Sequence, residues 1–188
     1  GLGDVYKRQA ISDPGEVLVQ KCQEAGINVT SLPGPAACIT ALTLSGLPTR
    51  RFCFEGFLPA DKKERKEILA ELAEESRTMI LYEAPHHLVK TLTDLSETLG
   101  NRKITLCREL TKKHETAFHS TIDDLITHYE KEKPLGECVL VIEGKSRQEL
   151  KEEAVASWEE ISIEELEEYP CLAFEQGNYN SFYFAEEV

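Results

Sequence analysis

The chain of 188 residues is long enough for one or two compact domains with a real core. No apolar run approaches the roughly 20 residues needed to cross a bilayer, and the N-terminus lacks the basic, apolar and small-residue order of a signal peptide. A formal net charge of −13 argues against phosphate contacts, yet −10 of it falls in the last 42 residues, where twelve acids meet two bases.

In chain order, Gly1–Gln9 has no usable periodicity. Glu16–Ala25 reads as an amphipathic helix closed by Gly26, and the β-branched Ile27–Leu32 as a short strand. Pro33-Gly34-Pro35 then leads into a small apolar helix from about Ala36 to Leu44. The composition shifts after Ser45–Pro48, which puts a domain boundary near residue 49. Phe52–Phe57 is predicted extended and Lys62–Ser76 helical, with Ile68, Leu69, Leu72 and Ala73 as its apolar stripe. A buried strand Thr78–Tyr82 is followed by a helix Pro85–Leu99, with Pro85 in its first turn and Gly100 after its end. Lys103–Leu110 reads as a strand, Ile122–Tyr129 as a helix and Cys138–Ile142 as a strand. This alternation predicts an α/β fold whose sheet is largely parallel where the crossovers are helical. Beyond Gly144 the chain reads as a charged linker, an acidic stretch with helix-forming patches over Ser157–Glu168, and an irregular aromatic end, Tyr169–Val188, expected to be poorly ordered.

Outside the acidic end the chain is near neutral, with basic clusters at Thr49–Arg51, Lys62–Lys66 and Lys112–His114, which permits RNA binding without requiring it. Six scattered cysteines with no C-x-x-C pair argue against a zinc site or a disulfide scaffold and fit a reducing cytoplasm.

Four segments are candidates for chemistry, all expected at strand ends or in the turns after them. Ile11-Ser12-Asp13-Pro14-Gly15 is a good turn and helix start, with Ser12 or Asp13 as cap. Leu32-Pro33-Gly34-Pro35-Ala36-Ala37 is a tight turn whose small residues let a ligand approach the backbone at a helix start. Tyr82 and Glu83 suit adenosine or ribose hydroxyl recognition, although a Glu there also serves as a cap. His86 and His87 are neighbours about 100° apart on a helix, which chelates a metal poorly, so no metal is expected. Arg108 and Glu109, read as strand residues, would point to opposite faces. Neither G-x-G-x-x-G, a P-loop, G-x-S-x-G nor H-E-x-x-H is present, so dinucleotide binding, nucleotide hydrolysis and hydrolase chemistry have no support.

The ordered succession ISDPG, LPGPAACITAL, GLPTRRFCFEGFLP, MILYEAPHH, LCRELTKKHE and GECVLVIEG, from about Ile11 to Gly144, closely resembles the tetrapyrrole methylase family, in particular its ribosomal RNA methyltransferases. RFCFEGFLP and RELTKKHE are the most specific of these strings. The resemblance implies two α/β domains of tetrapyrrole-methylase type with S-adenosyl-L-methionine held in the cleft between them. The implied reaction is 2'-O-methylation of a cytidine ribose in 16S rRNA of the small ribosomal subunit, by a cytoplasmic enzyme that is a homodimer and has no membrane association. Carried over position by position, Pro33, Gly34, Ala36, Ala37, Tyr82, Glu83, Cys107 and Arg108 fall on cofactor-contacting positions. Glu109, Lys112 and Glu115 fall at the reacting end, with Glu109 or Glu115 as a general base for the weakly nucleophilic 2'-hydroxyl. The expected domains are an unmatched leader over 1–10, the remainder of an incomplete N-terminal domain over 11–48, a C-terminal domain over 49–146, and a linker with an acidic tail over 147–188.

Three departures accompany the match. The family carries a glycine-rich first turn and Asp-Ala-Gly-Thr-Pro ahead of Ser-Asp-Pro-Gly. Here Val5–Ala10 stands in that place, which makes Gly1–Gln9 look like foreign sequence on a truncated gene. His87 occupies a position usually held by Arg. Beyond Ser157-Trp158-Glu159-Glu160 the family's basic helical tail gives way to Tyr169-Pro170-Cys171, as a frameshift near residue 168 would produce. Two other readings compete: a methyltransferase of the same family acting on a tetrapyrrole, and an inactive fragment serving at most as a binding or dimerisation module.

Overall fold

The structure is a computed structural model that describes residues 11–12, 15–146 and 148–152. The expectations for residues 1–10, for Asp13 and Pro14, and for the acidic tail beyond 152 lie outside the described residues. The chain divides between Lys145 and Ser146 into two units. In the second, Ser146 Oγ accepts from Glu149 N–H, and the Glu149 carboxylate accepts from Ser146 N–H, a reciprocal cap on the helical residues 148–152.

The first unit is mixed α/β, with helices α1 (Gly15–Glu24), α2 (Ala37–Leu44), α3 (Lys62–Glu74), α4 (Leu88–Leu99) and α5 (Ile122–Tyr129). Its strands are β1 (Phe52–Phe57), β2 (Thr78–Glu83), β3 (Lys103–Arg108), β4 (Thr116–Thr121) and β5 (Cys138–Ile142). They form one sheet in the order β1-β2-β5-β3-β4.

Only β1 and β2 pair in parallel; β2–β5, β5–β3 and β3–β4 are antiparallel. The expectation of a largely parallel sheet is therefore corrected, and interleaving is the reason. Helical crossovers do join strands running the same way, β2 to β3 through α4 and β4 to β5 through α5. In each case another strand, running oppositely, has been inserted between the two.

Alternation of side chains gives the sheet two covered faces. Met79, Leu81, Ile104, Leu106, Leu140 and Ile142 meet Leu69 and Leu72 of α3, Leu88, Leu92 and Leu95 of α4, and Ile122 and Leu125 of α5. On the other face Ile80, Cys107, Val139 and Val141 pack against Cys38, Ala41 and Leu42 of α2. All five residues of β5 are buried, as a central strand covered on both sides requires.

Other expectations shift locally. Ile27–Leu32 is not a strand. It has no ladder partner among the described residues, and Ile27, Val29 and Leu32 are exposed, so its β-branched content has nothing to pair with. Pro85–His87 is a 3-10 turn and the α-helix starts only at Leu88, while α3 ends at Glu74 and β3 at Arg108. Strand β4 was not anticipated. Its hairpin turn takes left-handed conformations at Glu109 (φ 49°) and Thr111 (φ 65°), which carry none of the Gly or Asn marks of such turns. The register slips between Phe54 and Gly56 in β1. Gly56 has φ 65°, and a Cβ there would sit 2.7 Å from Ser12 Oγ, so this bulge is where Ile11-Ser12 lies against the sheet.

Candidate functional site

The predicted residues gather in three places. The first is a corner at the C-terminal end of β2. The backbone N–H of Cys38, in the first turn of α2, donates to Tyr82 Oη at 3.2 Å. Phe54 and Phe57 meet the Tyr82 ring edge-on, with centroids 4.9 Å and 5.6 Å away. Burial, with a contribution from Cys38, pushes the Tyr82 hydroxyl up to about 12. It therefore stays neutral, accepting from Cys38 while keeping a proton to donate. Ala36 is extended (φ −131°, ψ 119°) and offers no side-chain cap, and Pro33, Gly34, Pro35 and Ala37 are exposed. Small residues around an open helix start leave the backbone accessible to a ligand. Cys107 lies on the same sheet face, fully buried, its thiol pushed up to about 11 by burial and then by the charge of Glu115. The structure thus brings Ala36 and Cys38, at the start of α2, together with Tyr82 and Cys107, while the exposed Pro33–Pro35 turn ahead of them does not follow a strand.

The second place is the opposite sheet face. The Glu83 side chain turns towards α4 and is only 7% exposed. Its carboxylate accepts from Thr91 Oγ1 at 2.5 Å and from Ala84 N–H at 2.7 Å. Arg65 extends the network, donating to Thr91 Oγ1 at 2.9 Å and to Asp94 at 2.7 Å. Glu83 is thereby committed to holding α3 and α4 on the sheet. Arg108 Nε donates to Thr116 Oγ1 at 3.2 Å, and the guanidinium lies 5.8 Å over the Tyr129 ring of α5. Neither side chain faces the Pro33–Ala37 corner.

The third place is the β3–β4 loop. Glu109 lies beyond the strand, in left-handed backbone, so the expectation that it alternates with Arg108 along β3 is corrected. Glu109 Oε1 accepts from Glu137 N–H at 3.0 Å and from Lys112 Nζ at 3.2 Å. These bonds, the Glu137 amide first, hold its carboxyl below the usual carboxylate range. Lys112 also reaches the Glu137 carboxylate at 3.0 Å, and its two carboxylate partners raise its pKa. Glu115 Oε2 accepts from Thr111 N–H at 2.6 Å. Gly136 (φ 80°) closes against this cluster, since a Cβ there would run into the Glu109 side chain.

Phe54, Phe57 and Glu137 were not singled out from the sequence. The alternation Phe52-x-Phe54 was a usable signal for Phe54, whereas Phe57, three residues on, reaches the same face only through the bulge at Gly56. Glu137 gave none, because its partner Glu109 is 28 residues away. No group of His, Cys, Asp or Glu suited to a metal occurs among the described residues.

A family model described as Tetrapyrrole (Corrin/Porphyrin) Methylases matches residues 10–126. The chain belongs to this family. It is 51% identical over 135 residues to ribosomal RNA small subunit methyltransferase I of Synechocystis sp., covering 71% of this chain and 48% of that protein. The protein of the same name from Thermotoga maritima is 44% identical over 135 residues, 72% of this chain and 60% of its own length. The one from Haemophilus influenzae is 47% identical over 161 residues, 82% and 57%. The chain thus spans about half the length of the curated relatives it matches. Among solved structures the fold resembles the methyltransferase CobJ (TM-score 0.52, 21% identity, 69% of this chain and 56% of that one). It also resembles uroporphyrin-III-C-methyltransferase from Thermus thermophilus (TM-score 0.50, 19% identity, 70% and 59%).

Proposed function

We propose that the chain is part of an S-adenosyl-L-methionine-dependent methyltransferase acting on the 2'-hydroxyl of a cytidine in 16S rRNA. The observation that carries this reading is the Cys38–Tyr82 contact, which joins two motif segments 44 residues apart into one open corner. The relatives' shared name supports RNA rather than a tetrapyrrole as substrate. On this reading residues 11–48 are the remainder of an N-terminal domain and 49–146 the C-terminal domain, in a cytoplasmic homodimer.

The residues fit the cofactor in their chemistry. Ala36 and Ala37 leave the backbone approachable, and the neutral Tyr82 hydroxyl can donate to a ribose or adenine acceptor. When bound, S-adenosyl-L-methionine supplies an electrophilic methyl group. Cys107 lines the wall behind the turn, and Lys112 and Glu109 fix the shape of the β3–β4 loop. We take Glu115 as the general base, because the Glu137 amide and Lys112, both donating to Glu109 Oε1, favour the ionised form of Glu109 and make it the weaker base. Glu115 would receive the ribose hydroxyl proton on a carboxylate oxygen.

Calorimetric titration with S-adenosyl-L-methionine tests the site: the native chain binds, and Ala37→Asp binds at least tenfold more weakly. Failure to bind both by this chain and by a version with a complete N-terminal domain removes the cofactor assignment. Methyl transfer to 16S rRNA, set against a porphyrin precursor in parallel, tests the substrate, and transfer to the precursor alone reverses the reading. Glu115→Gln should lower the transfer rate about 100-fold, the lower end of general-base contributions; an unchanged rate excludes it as base.

A further inference from the structure

We propose that Thr105 is a positioning residue for the cofactor corner, holding the far end of α2 on the sheet so that the start of the helix stays seated on Tyr82. The role rests on the cofactor reading above. The other buried residues of β3, Ile104, Leu106 and Cys107, are apolar, yet Thr105 is only 2% exposed and carries a hydroxyl into the face that α2 covers. A buried hydroxyl costs free energy unless it is bonded. Thr105 Oγ1 donates to the carbonyl of Ser45 at 3.1 Å, across 60 residues of sequence. Ser45 is the C-cap of α2 and is itself buried, so its carbonyl needs a partner from outside the helix. A carbonyl only accepts, which commits the Thr105 proton there and leaves the Thr105 oxygen to accept from His119 Nδ1–H at 3.0 Å.

The helix is therefore fastened at both ends. Strand register places Tyr82 level with Val139 and Cys107, and Ile80 level with Val141 and Thr105. α2 spans these two rows. Its first turn is held on Tyr82 through the Cys38 amide and its C-cap on Thr105, with Ala41 and Leu42 packed on the sheet between them. The connection onward to β1 is pinned as well. Leu47 N–H donates to Ser45 Oγ at 3.1 Å, and Thr78, buried at the start of β2, donates to the Pro48 carbonyl at 2.7 Å.

The apolar contacts beneath α2 are non-directional and fix no position along its axis, whereas the hydrogen bonds at its two ends do. A ligand that approaches the backbone at Ala36 and Ala37 depends on that position, because a site left about 1 Å loose loses its preorganisation. Thr105 thus acts on the cofactor through α2 without touching it.

The test compares the native chain with Thr105→Val, which keeps the shape and removes the hydroxyl, and with Thr105→Ser, which restores it. Hydrogen exchange read by mass spectrometry should show residues 38–45 exchanging about tenfold faster in Thr105→Val, with β2 and β5 unchanged and Thr105→Ser close to native. S-adenosyl-L-methionine affinity, read by calorimetry, should fall about tenfold in Thr105→Val and recover in Thr105→Ser. Faster exchange spread evenly over the sheet, with affinity unchanged, means a merely structural threonine and overturns the proposal. So does exchange over 38–45 that matches the native chain. Cofactor binding that is equal in all three overturns the positioning role and leaves the cofactor reading standing. No binding by the native chain, nor by a version with a complete N-terminal domain, overturns both. If circular dichroism shows Thr105→Val unfolded, Thr78→Val, which frees the connection at Pro48, carries the same test: exchange over 38–45 about threefold faster supports the proposal, and no change overturns it.

Discussion

Tyr82 does two jobs, one with its ring and one with its hydroxyl group. Its ring packs between Phe54 and Phe57, and its oxygen takes the N–H that Cys38 would otherwise leave open at the start of α2. Tyr82→Phe keeps the ring packing and removes the acceptor. Urea denaturation should show a loss of about 1 kcal/mol, the usual net worth of such a bond. Cofactor affinity measured by calorimetry should fall with it, because the exposed turn loses its anchor. A second residue-scale case concerns acid stability. Arg77 clasps the Glu75 carboxylate, and this hydrogen bonding holds the carboxyl at about 2, below its ordinary 4.5. The pair therefore contributes its full stability above pH 4.5 and loses it as the pH falls towards 2. Melting temperature followed from pH 7 to pH 2 should drop more steeply for the native chain than for Glu75→Gln, and superimposable profiles would show that the pair contributes nothing.

The helices differ in what they contribute. α2 covers one sheet face with Cys38, Ala41 and Leu42, whereas α1 buries no residue. Leu42→Ala should cost about 2–4 kcal/mol in urea denaturation. Leu18→Ala, on α1, should change stability by less than about 0.5 kcal/mol, as exposed positions do. The helices and buried strands were legible because their apolar periodicity is local: the stripe Leu69, Leu72 and the run Cys138–Ile142 sit where the pattern put them. Ile27–Leu32 misled because β-propensity describes how a residue behaves once a neighbouring strand exists. β4 was hidden for the opposite reason. It is an edge strand with no buried residue, and its turn uses Glu109 and Thr111 in conformations that sequence usually marks with glycine. In the candidate site, the motifs did share one sheet face where the start of α2 meets Tyr82 and Cys107. Glu83 and Arg108 point to the other sheet face, the direction that strand parity gives once β2 and β3 are placed, although motif order alone grouped them with the Pro33–Ala37 turn.

Across the whole molecule, strand order is the property least accessible to local pattern, since nothing within Cys138–Ile142 says that it pairs with both Met79–Glu83 and Ile104–Arg108. That placement has a temporal consequence. Before β5 is made, the pairings open to the nascent chain are β1–β2 and β3–β4, two half-sheets that each lack the neighbour β5 supplies. Translation of the stretch from Thr121, the end of β4, to Ile142 takes about 1–4 s at ordinary elongation rates. Through that interval the unfinished edges are open to mispairing, and a single five-residue strand then seals both seams at once.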